Sequence, residues 1–283
     1  MINYIQAILL GLLQGVTELF PISSLGHSVI LPTILHWNID QSNNMFVVFL
    51  IATHLATAIV LFVFFYKDWV LIIKGIFRSI KERGISSTDT YAKLGWLIII
   101  ASIPAGILGF LFEKKIKVLL ASALITAIFL VINGLLLYGA EYLRKKSAVY
   151  RLGAVDAGIA TLTLPQAIKV GFAQCLALIP GFSRTGATLG GGLLVGLTHE
   201  EAARFSFLLA TPIIFAASIL KLPTLIHTSS SVAGPIIVGA IASAIAAFFS
   251  IRFLTKYFKE NTLAPFALYC IIAGLVAIAI IVM

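Results

Sequence analysis

Charged residues are scarce in this sequence: 11% of the chain is Asp, Glu, Lys or Arg, whereas 60% is hydrophobic. A soluble globular domain has about a quarter of its residues charged, so the composition indicates an integral membrane protein. Acids are the scarcer sign, with 11 against 20 Lys and Arg. The net charge of +9 does not predict a nucleic-acid partner, because the basic residues lie in short loops beside apolar segments. There they set topology and contact anionic headgroups.

Cysteine is almost absent as well. Cys175 and Cys270 both fall in apolar segments, so they form neither a disulfide framework nor a metal-binding spacing, and we expect both to be packing residues. The N-terminus lacks the basic region and the small-residue cleavage site of a secretory signal. We therefore expect the first apolar stretch to remain in the mature protein.

Six apolar segments are long enough to cross the hydrocarbon core of a bilayer, which needs about 20 residues. They lie near 45–66, 93–112, 117–140, 202–221, 233–254 and 263–282. Two further stretches, near 3–35 and 166–197, are each interrupted by a break that contains proline. We interpret both as re-entrant helix–break–helix hairpins, whose irregular backbone must be buried in protein or line a wet cavity. The predicted fold is an all-α polytopic membrane helix bundle of six spanning helices and two such hairpins.

The two interrupted stretches are copies of each other. AILLGLLQGVTELFPISSLGH at 7–27 aligns with AIKVGFAQCLALIPGFSRTGA at 167–187. Three predicted crossings separate the copies, and this odd number inverts the second half relative to the first. We therefore predict a single membrane domain, 1–283, made of two inverted repeats at about 1–145 and 160–283.

Lys and Arg residues predict the orientation. The loops around 67–93, 141–169 and 252–259 are rich in them and fall on one side of the predicted topology. The richer side should be cytoplasmic. Both termini then lie outside, and the first hairpin opens to the outside while the second opens to the cytoplasm.

Two charged residues lie deep in apolar sequence: Glu18 at the first break and Arg184 at the second. An ionisable group inside a membrane costs about 3 kcal/mol on insertion scales and marks a functional site by default. The alternative is that the two residues pair only to hold the halves together. The residues around them favour a site that handles anions.

The residues around both breaks fit a phosphate ligand. Gln14 and Glu18 are four residues apart on one helix face, and their oxygens suit a hard cation such as Mg²⁺ or Ca²⁺, so we predict them as metal ligands. Helix N-termini favour phosphate, and Arg184 adds a fork of donors matched to it. The predicted substrate-binding residues share a hydroxyl or amide group beside a break: Gln14, Ser23, Ser183, Thr185 and Thr188.

A hydroxyl, an imidazole and a carboxylate occur close together in the first copy, at Ser24, His27 and Glu18. Ser24 could be a nucleophile, with His27 as its base or as the acid for the leaving group. Equally, His27 itself or a metal-bound water could attack phosphorus. The sequence does not choose among these routes.

These motifs resemble the signatures of a known family. QGVTE at 14–18, PISSLGH at 21–27 and PGFSRTGAT at 180–188 are similar to motifs of the undecaprenyl-pyrophosphate phosphatases of the bacitracin-resistance type. The resemblance implies a cation-dependent enzyme of the bacterial plasma membrane. It would remove the terminal phosphate of undecaprenyl pyrophosphate at the outer face, so that cell-wall synthesis can reuse the lipid carrier. By position, the resemblance implies four catalytic residues: Glu18, Ser24, His27 and Arg184.

The sequence departs from that family pattern at Gln14, where many members have Glu. This change removes one carboxylate from the implied cation site. The alternative function is a transporter or flippase of polyprenyl phosphate or another anion, because secondary transporters also place broken helices of inverted repeats at the membrane midplane. Besides the bilayer and the lipid substrate, the sequence leaves a homo-oligomer open.

Overall fold

The computed structural model describes residues 2–41, 43–112, 122–146, 158–220 and 230–283. In chain order the helices are α1 (Tyr4–Thr17), α2 (Ser24–Ile34), α3 (Asn44–Phe64), α4 (Tyr66–Lys81), α5 (Thr90–Leu111), α6 (Ala123–Lys146), α7 (Leu164–Gln174), α8 (Arg184–Leu194), α9 (His199–Leu220), α10 (Ser230–Tyr257) and α11 (Ala264–Val282). Short 3₁₀ turns lie at Ile159–Thr161 and Cys175–Leu178. The all-α prediction is confirmed.

Among the described residues, six helices are long and apolar enough to cross a membrane. They are α3, α5, α6, α9, the part of α10 from Ala233 to Tyr257, and α11. These match the six predicted segments, and the chain is a multi-pass membrane protein. The third span runs to Lys146 rather than ending near 140, and 117–121 of its predicted range lie outside the described residues.

Helix α4 occupies most of the stretch that we expected to be a loop at 67–93. It buries Trp69 and Ile72 against the bundle, whereas Phe77 is 70% exposed. A helix with an apolar face and basic residues opposite is typical of a segment that lies in the membrane interface. A search for spans of about 20 apolar residues does not detect such a helix, because its charged residues are interspersed with the apolar ones.

Each interrupted stretch folds as two short helices around a break. The second helix of each pair starts at a serine N-cap: the Ser23 hydroxyl accepts the Gly26 N–H at 3.2 Å, and the Ser183 hydroxyl accepts the Gly186 N–H at 3.0 Å. Both breaks therefore present a helix N-terminus, with its partial positive charge. The re-entrant path of these pairs and the inversion of the halves stay predictions.

The first helix of each pair packs on a spanning helix of the other half: α1 lies against α10, and α7 lies against α5. The matched glycines make the close approaches. A Cβ on Gly11 would lie 2.2 Å from the carbonyl oxygen of Gly239, and a Cβ on Gly171 would lie 2.5 Å from that of Ala101. The sequence match between the two copies thus corresponds to one packing contact made twice, where any side chain would separate the backbones.

Ion pairs at one end of the bundle join the basic segments. Arg204 of α9 donates to Asp68 of α4 at 2.5 Å, and Lys259 lies 3.6 Å from Glu200. These contacts bring the loops around 67–93 and 252–259 to the same end, as the Lys and Arg pattern predicts. Which side of the membrane this end faces stays a prediction.

Candidate active site

The break after α1 places Glu18 at the centre of a cluster of donors, with only 6% of its side chain exposed. Its Oε1 accepts a hydrogen bond from Arg184 Nη2 at 2.6 Å. Its Oε2 accepts one from the Gln14 amide at 3.1 Å and another from the Ser24 hydroxyl. The Nε2 atom of His54, on α3, lies 3.2 Å from the same oxygen. Groups from both halves of the chain therefore converge on one carboxylate.

Two atoms of this cluster are buried without a partner. Among the described residues, Arg184 Nη1 and Gln14 Oε1 make no hydrogen bond. A buried polar atom left unpaired costs about 1–3 kcal/mol, and such atoms in native structures call for an explanation. The pairing of Glu18 with Arg184 agrees with a role in holding the halves together. The unpaired donor and acceptor indicate, in addition, a place for a polar ligand.

Asn133 of α6 fixes the two breaks to each other. Its Nδ2 donates to the carbonyl of Pro21 at 3.1 Å, and its Oδ1 accepts the N–H of Ser183 at 3.0 Å. The Thr185 hydroxyl adds a bond to the backbone oxygen of Glu18 at 2.9 Å. Because these bonds cross between the two breaks, they set the position of the guanidinium relative to the carboxylate.

The backbone at both breaks takes conformations that few residues adopt. Ser23 has a φ of 71°, which is uncommon for a residue other than glycine. Gly181 has a φ of 98°, and a Cβ there would lie 2.3 Å from the carbonyl oxygen of Thr126. Such conformations cluster at functional sites, where the surrounding structure holds them.

The His27 ring has partners other than Ser24. Its Nδ1 lies 2.7 Å from the carbonyl of Ser23, and its Nε2 lies 2.8 Å from the hydroxyl of Tyr269, whose ring stacks on the imidazole. A carbonyl oxygen only accepts, so Nδ1 carries a proton, and in the neutral ring Nε2 accepts from the tyrosine. The hydroxyl–imidazole contact that the sequence suggests is replaced by a hydroxyl–carboxylate contact between Ser24 and Glu18.

The hydroxyl groups of the second copy are engaged within the fold. Ser183 caps α8, and Thr185 bonds to the first break. The Thr188 hydroxyl donates to the carbonyl of Arg184 at 2.9 Å and lies 2.5 Å from the hydroxyl of Ser206 on α9. These bonds hold the first turn of α8, which carries Arg184, against the first break and α9. Direct contacts of the three hydroxyls with a ligand stay a prediction.

The second copy has no carboxylate at the position that matches Glu18, because Leu178 stands there. Gln174, which matches Gln14, is buried, and neither atom of its amide has a hydrogen-bond partner among the described residues. The first copy therefore supplies the acid and the hydroxyl, and the second supplies the guanidinium.

His54 is a residue of this site that no sequence motif identifies. A histidine inside a spanning segment, here beside Thr53 and Thr57, is more often a packed, hydrogen-bonded residue than part of a site. The structure places it against Glu18. The signal that could have identified it is the rule applied to Glu18, namely that an ionisable side chain in the middle of a span is a functional candidate.

This arrangement defines a class of protein: a helical multi-pass membrane protein with a buried ionic site where two broken helices meet. The chain belongs to the family described as Bacitracin resistance protein BacA, whose model matches residues 7–276.

Similar proteins align over almost the whole chain. The undecaprenyl-diphosphatase of Mycolicibacterium paratuberculosis is 42% identical, over 96% of this chain and 95% of that protein. Undecaprenyl-diphosphatase 2 of Chromobacterium violaceum is 43% identical, over 98% of each. Undecaprenyl-diphosphatase 2 of Burkholderia thailandensis is 44% identical, over 95% of this chain and 93% of that protein. The family expected from the motifs is confirmed.

Proposed function

We propose that the protein is an undecaprenyl-diphosphate phosphatase. It hydrolyses undecaprenyl pyrophosphate to undecaprenyl phosphate and inorganic phosphate, and so recycles the lipid carrier for cell-wall synthesis. The observation that carries the proposal is the buried Glu18–Arg184 pair between two helix starts, with Arg184 Nη1 and Gln14 Oε1 left without partners among the described residues. The names of the aligned relatives support the same substrate.

Arg184 holds the terminal phosphate through Nη1 while Nη2 remains on Glu18. A guanidinium matches phosphate oxygens in geometry as well as in charge. The starts of α2 and α8 add backbone N–H groups and partial positive charge. An anionic headgroup is therefore favoured at the junction of the two breaks.

Ser24 is the nucleophile that the geometry supports best, because its hydroxyl already donates to the Glu18 carboxylate, the base that such a nucleophile needs. In the proposed step, the Ser24 oxygen bonds to the terminal phosphorus, the bond from phosphorus to the bridging oxygen breaks, and the hydroxyl proton moves to Glu18. Water then adds to phosphorus and the bond from phosphorus to the Ser24 oxygen breaks. One proton of the water goes to the serine oxygen, the other stays on the phosphate, and Glu18 returns its proton to the departing phosphate. His27 stays a predicted catalytic residue.

A divalent cation, Mg²⁺ or Ca²⁺, is part of the proposal. Gln14 Oε1 is an unpaired buried oxygen, and Arg184 occupies only one of the two acceptor positions of Glu18 Oε1. These oxygens fit a hard cation, which Glu18 and Gln14 would hold together with phosphate oxygens. When bound, such a cation neutralises charge on the transferring phosphoryl group.

The proposed reaction takes place at the outer face of the bacterial plasma membrane. The pair of helices α1 and α2, which carries Glu18 and Ser24, is predicted to open to that side. The lipid tail of the substrate would lie along apolar helix surfaces, which keeps only the headgroup at the polar breaks.

The test is phosphate release by the purified protein in detergent, given undecaprenyl pyrophosphate with Mg²⁺ or Ca²⁺. We expect one inorganic phosphate for each undecaprenyl phosphate formed, loss of this activity in Ser24→Ala, and retention in Ser28→Ala. Ser28 is a suitable control because it is also buried, one turn further along α2. A folded wild-type protein that releases no phosphate but moves polyprenyl phosphate across proteoliposomes would favour the transporter instead.

A further inference from the structure

His54 is the member of the donor cluster to which no motif assigns a role. We propose that His54 is a positioning residue, which holds the Glu18 carboxylate in the orientation that accepts the proton of Ser24. The inference rests on the proposed hydrolysis and assigns to it a residue of a third element, α3, outside both breaks.

The ring of His54 is fixed by its own helix. Its Nδ1 lies 2.7 Å from the carbonyl oxygen of Leu50, one turn earlier in α3. That oxygen only accepts, so Nδ1 must carry a proton. Nε2 then points at Glu18 Oε2, at 3.2 Å. The carboxylate is an acceptor too, so a second proton lies between the two atoms, and the ring acts as a donor to Glu18.

The turn of α3 that carries His54 is locked against α10. The Ser243 hydroxyl donates to the carbonyl of Thr53 at 3.0 Å and lies 3.1 Å from the Thr57 hydroxyl. The charged groups that face His54 are Glu18 and Arg184. The charged residues of α9 lie in its first turns, and Arg204 among them pairs with Asp68, beyond the end of α3. Among the residues that the structure describes, the ring therefore has a fixed direction and a single anionic partner.

The contact with His54 complements that with Arg184. Arg184 binds Oε1, whereas His54 binds Oε2, the oxygen that also accepts from Ser24. Donors on both oxygens, among them the Gln14 amide on Oε2, fix the rotation of the carboxylate about its terminal bond. Without His54 the Gln14 amide is the donor left on Oε2 beside Ser24, so that rotation is less restricted and the acceptor for the serine proton is misplaced. Since His54 reaches the reaction through Glu18, its loss should lower kcat more than it raises KM.

Two substitutions separate positioning from packing. In His54→Gln the side-chain amide nitrogen takes the place of Nε2 and still donates to Glu18. In His54→Asn the amide nitrogen takes the place of Nδ1, next to Leu50, and the donor to Glu18 is lost. Both are neutral polar residues of similar size. We expect His54→Asn to lower kcat about 10- to 100-fold with KM within about threefold of wild type, and His54→Gln to recover most of kcat.

Phosphate release from undecaprenyl pyrophosphate and thermal unfolding should be measured on the same preparations. Wild-type kcat in His54→Asn would overturn the proposal, and so would equal losses in both variants at unchanged melting temperature. If His54→Asn does not fold, ¹⁵N spectra of histidine-labelled wild type, assigned with His54→Gln, decide the question. We expect two N–H groups on this ring, and an unprotonated Nε2 contradicts the contact. A wild type without phosphatase activity would refute the proposed function, whereas the spectra test the contact with Glu18 independently.

Discussion

The Arg184→Lys substitution separates two roles of this guanidinium: pairing with Glu18 and binding of the substrate phosphate. Nη2 binds Glu18 at 2.6 Å, and Nη1 is buried without a partner among the described residues. A lysine can keep one charged hydrogen bond to the carboxylate, but it cannot present the second donor in the fixed geometry of a guanidinium. We therefore expect the ion pair to survive and the phosphate contact to be lost.

The magnitude follows from the contact that is removed. A hydrogen bond to a charged group is worth about 1.5–3 kcal/mol, which corresponds to a loss of about 10- to 150-fold in kcat/KM. The free energy of unfolding should change little in Arg184→Lys. In Arg184→Ala it should fall by about 1.5–3 kcal/mol, because Glu18 loses a charged hydrogen bond in a buried site while the His54 ring remains as its donor.

The assay is phosphate release under substrate-limiting conditions, together with thermal unfolding of each variant in the same detergent. Wild-type kcat/KM in Arg184→Lys would show that the second guanidinium donor does not bind phosphate. An unchanged melting temperature in Arg184→Ala would refute the claim that this pair is a stabilising contact between the two breaks.

Three further predictions concern the frame of the site and its orientation. Gly181→Ala should lower the free energy of unfolding by more than the roughly 1–3 kcal/mol of a strained φ, because the new Cβ also meets the carbonyl oxygen of Thr126. Gly139→Ala, in a helix with open space around it, should instead raise the free energy of unfolding by about 0.5–1 kcal/mol. Equal melting temperatures for the two variants would contradict this. Asn133→Ala leaves a carbonyl and an N–H at the two breaks without their partner. It should cost about 1–3 kcal/mol for each unpaired group and lower phosphate release, and an unaltered melting curve would count against the bridge. In whole cells, an impermeant thiol reagent should label Asn38→Cys from outside and Ser87→Cys only after lysis, and the reverse pattern would mean that the topology is inverted.

The all-α fold and its six spanning helices could be predicted from the sequence because their signals are local. A bilayer requires long apolar segments, which the sequence shows directly. Two polar breaks that contain proline interrupt two further apolar stretches. Glu18 and Arg184 stood out for the same reason, since each is a lone charge in apolar sequence, and the structure brings them together. The repeat of the two breaks was equally visible, and their matched glycines make the same packing contact.

The partners of these residues could not be predicted because they come from other helices. An asparagine inside a span, such as Asn133, indicates a hydrogen bond between helices. Which groups it joins depends on the tertiary fold, and here it bridges the two breaks. His27 and Ser24 are neighbours in sequence, yet α2 directs the imidazole to Tyr269. His54 reaches Glu18 only because α3 packs beside the first break. Proximity along the chain therefore predicts which groups lie near the breaks, but not which of them contact one another.

The central claim is that hydrolysis depends on the single carboxylate at the two breaks. Glu141 provides a matched control: it is also buried, its Oε1 accepts from His199 at 2.6 Å and from the N–H of Leu263 at 2.7 Å, and it lies about 12 Å further along α6 than Asn133. The most direct measurement is phosphate release from undecaprenyl pyrophosphate by wild type, Glu18→Gln and Glu141→Gln, each normalised to folded protein. We predict a loss of at least about 1,000-fold in Glu18→Gln and near wild-type turnover in Glu141→Gln. Wild-type turnover in folded Glu18→Gln would contradict the account.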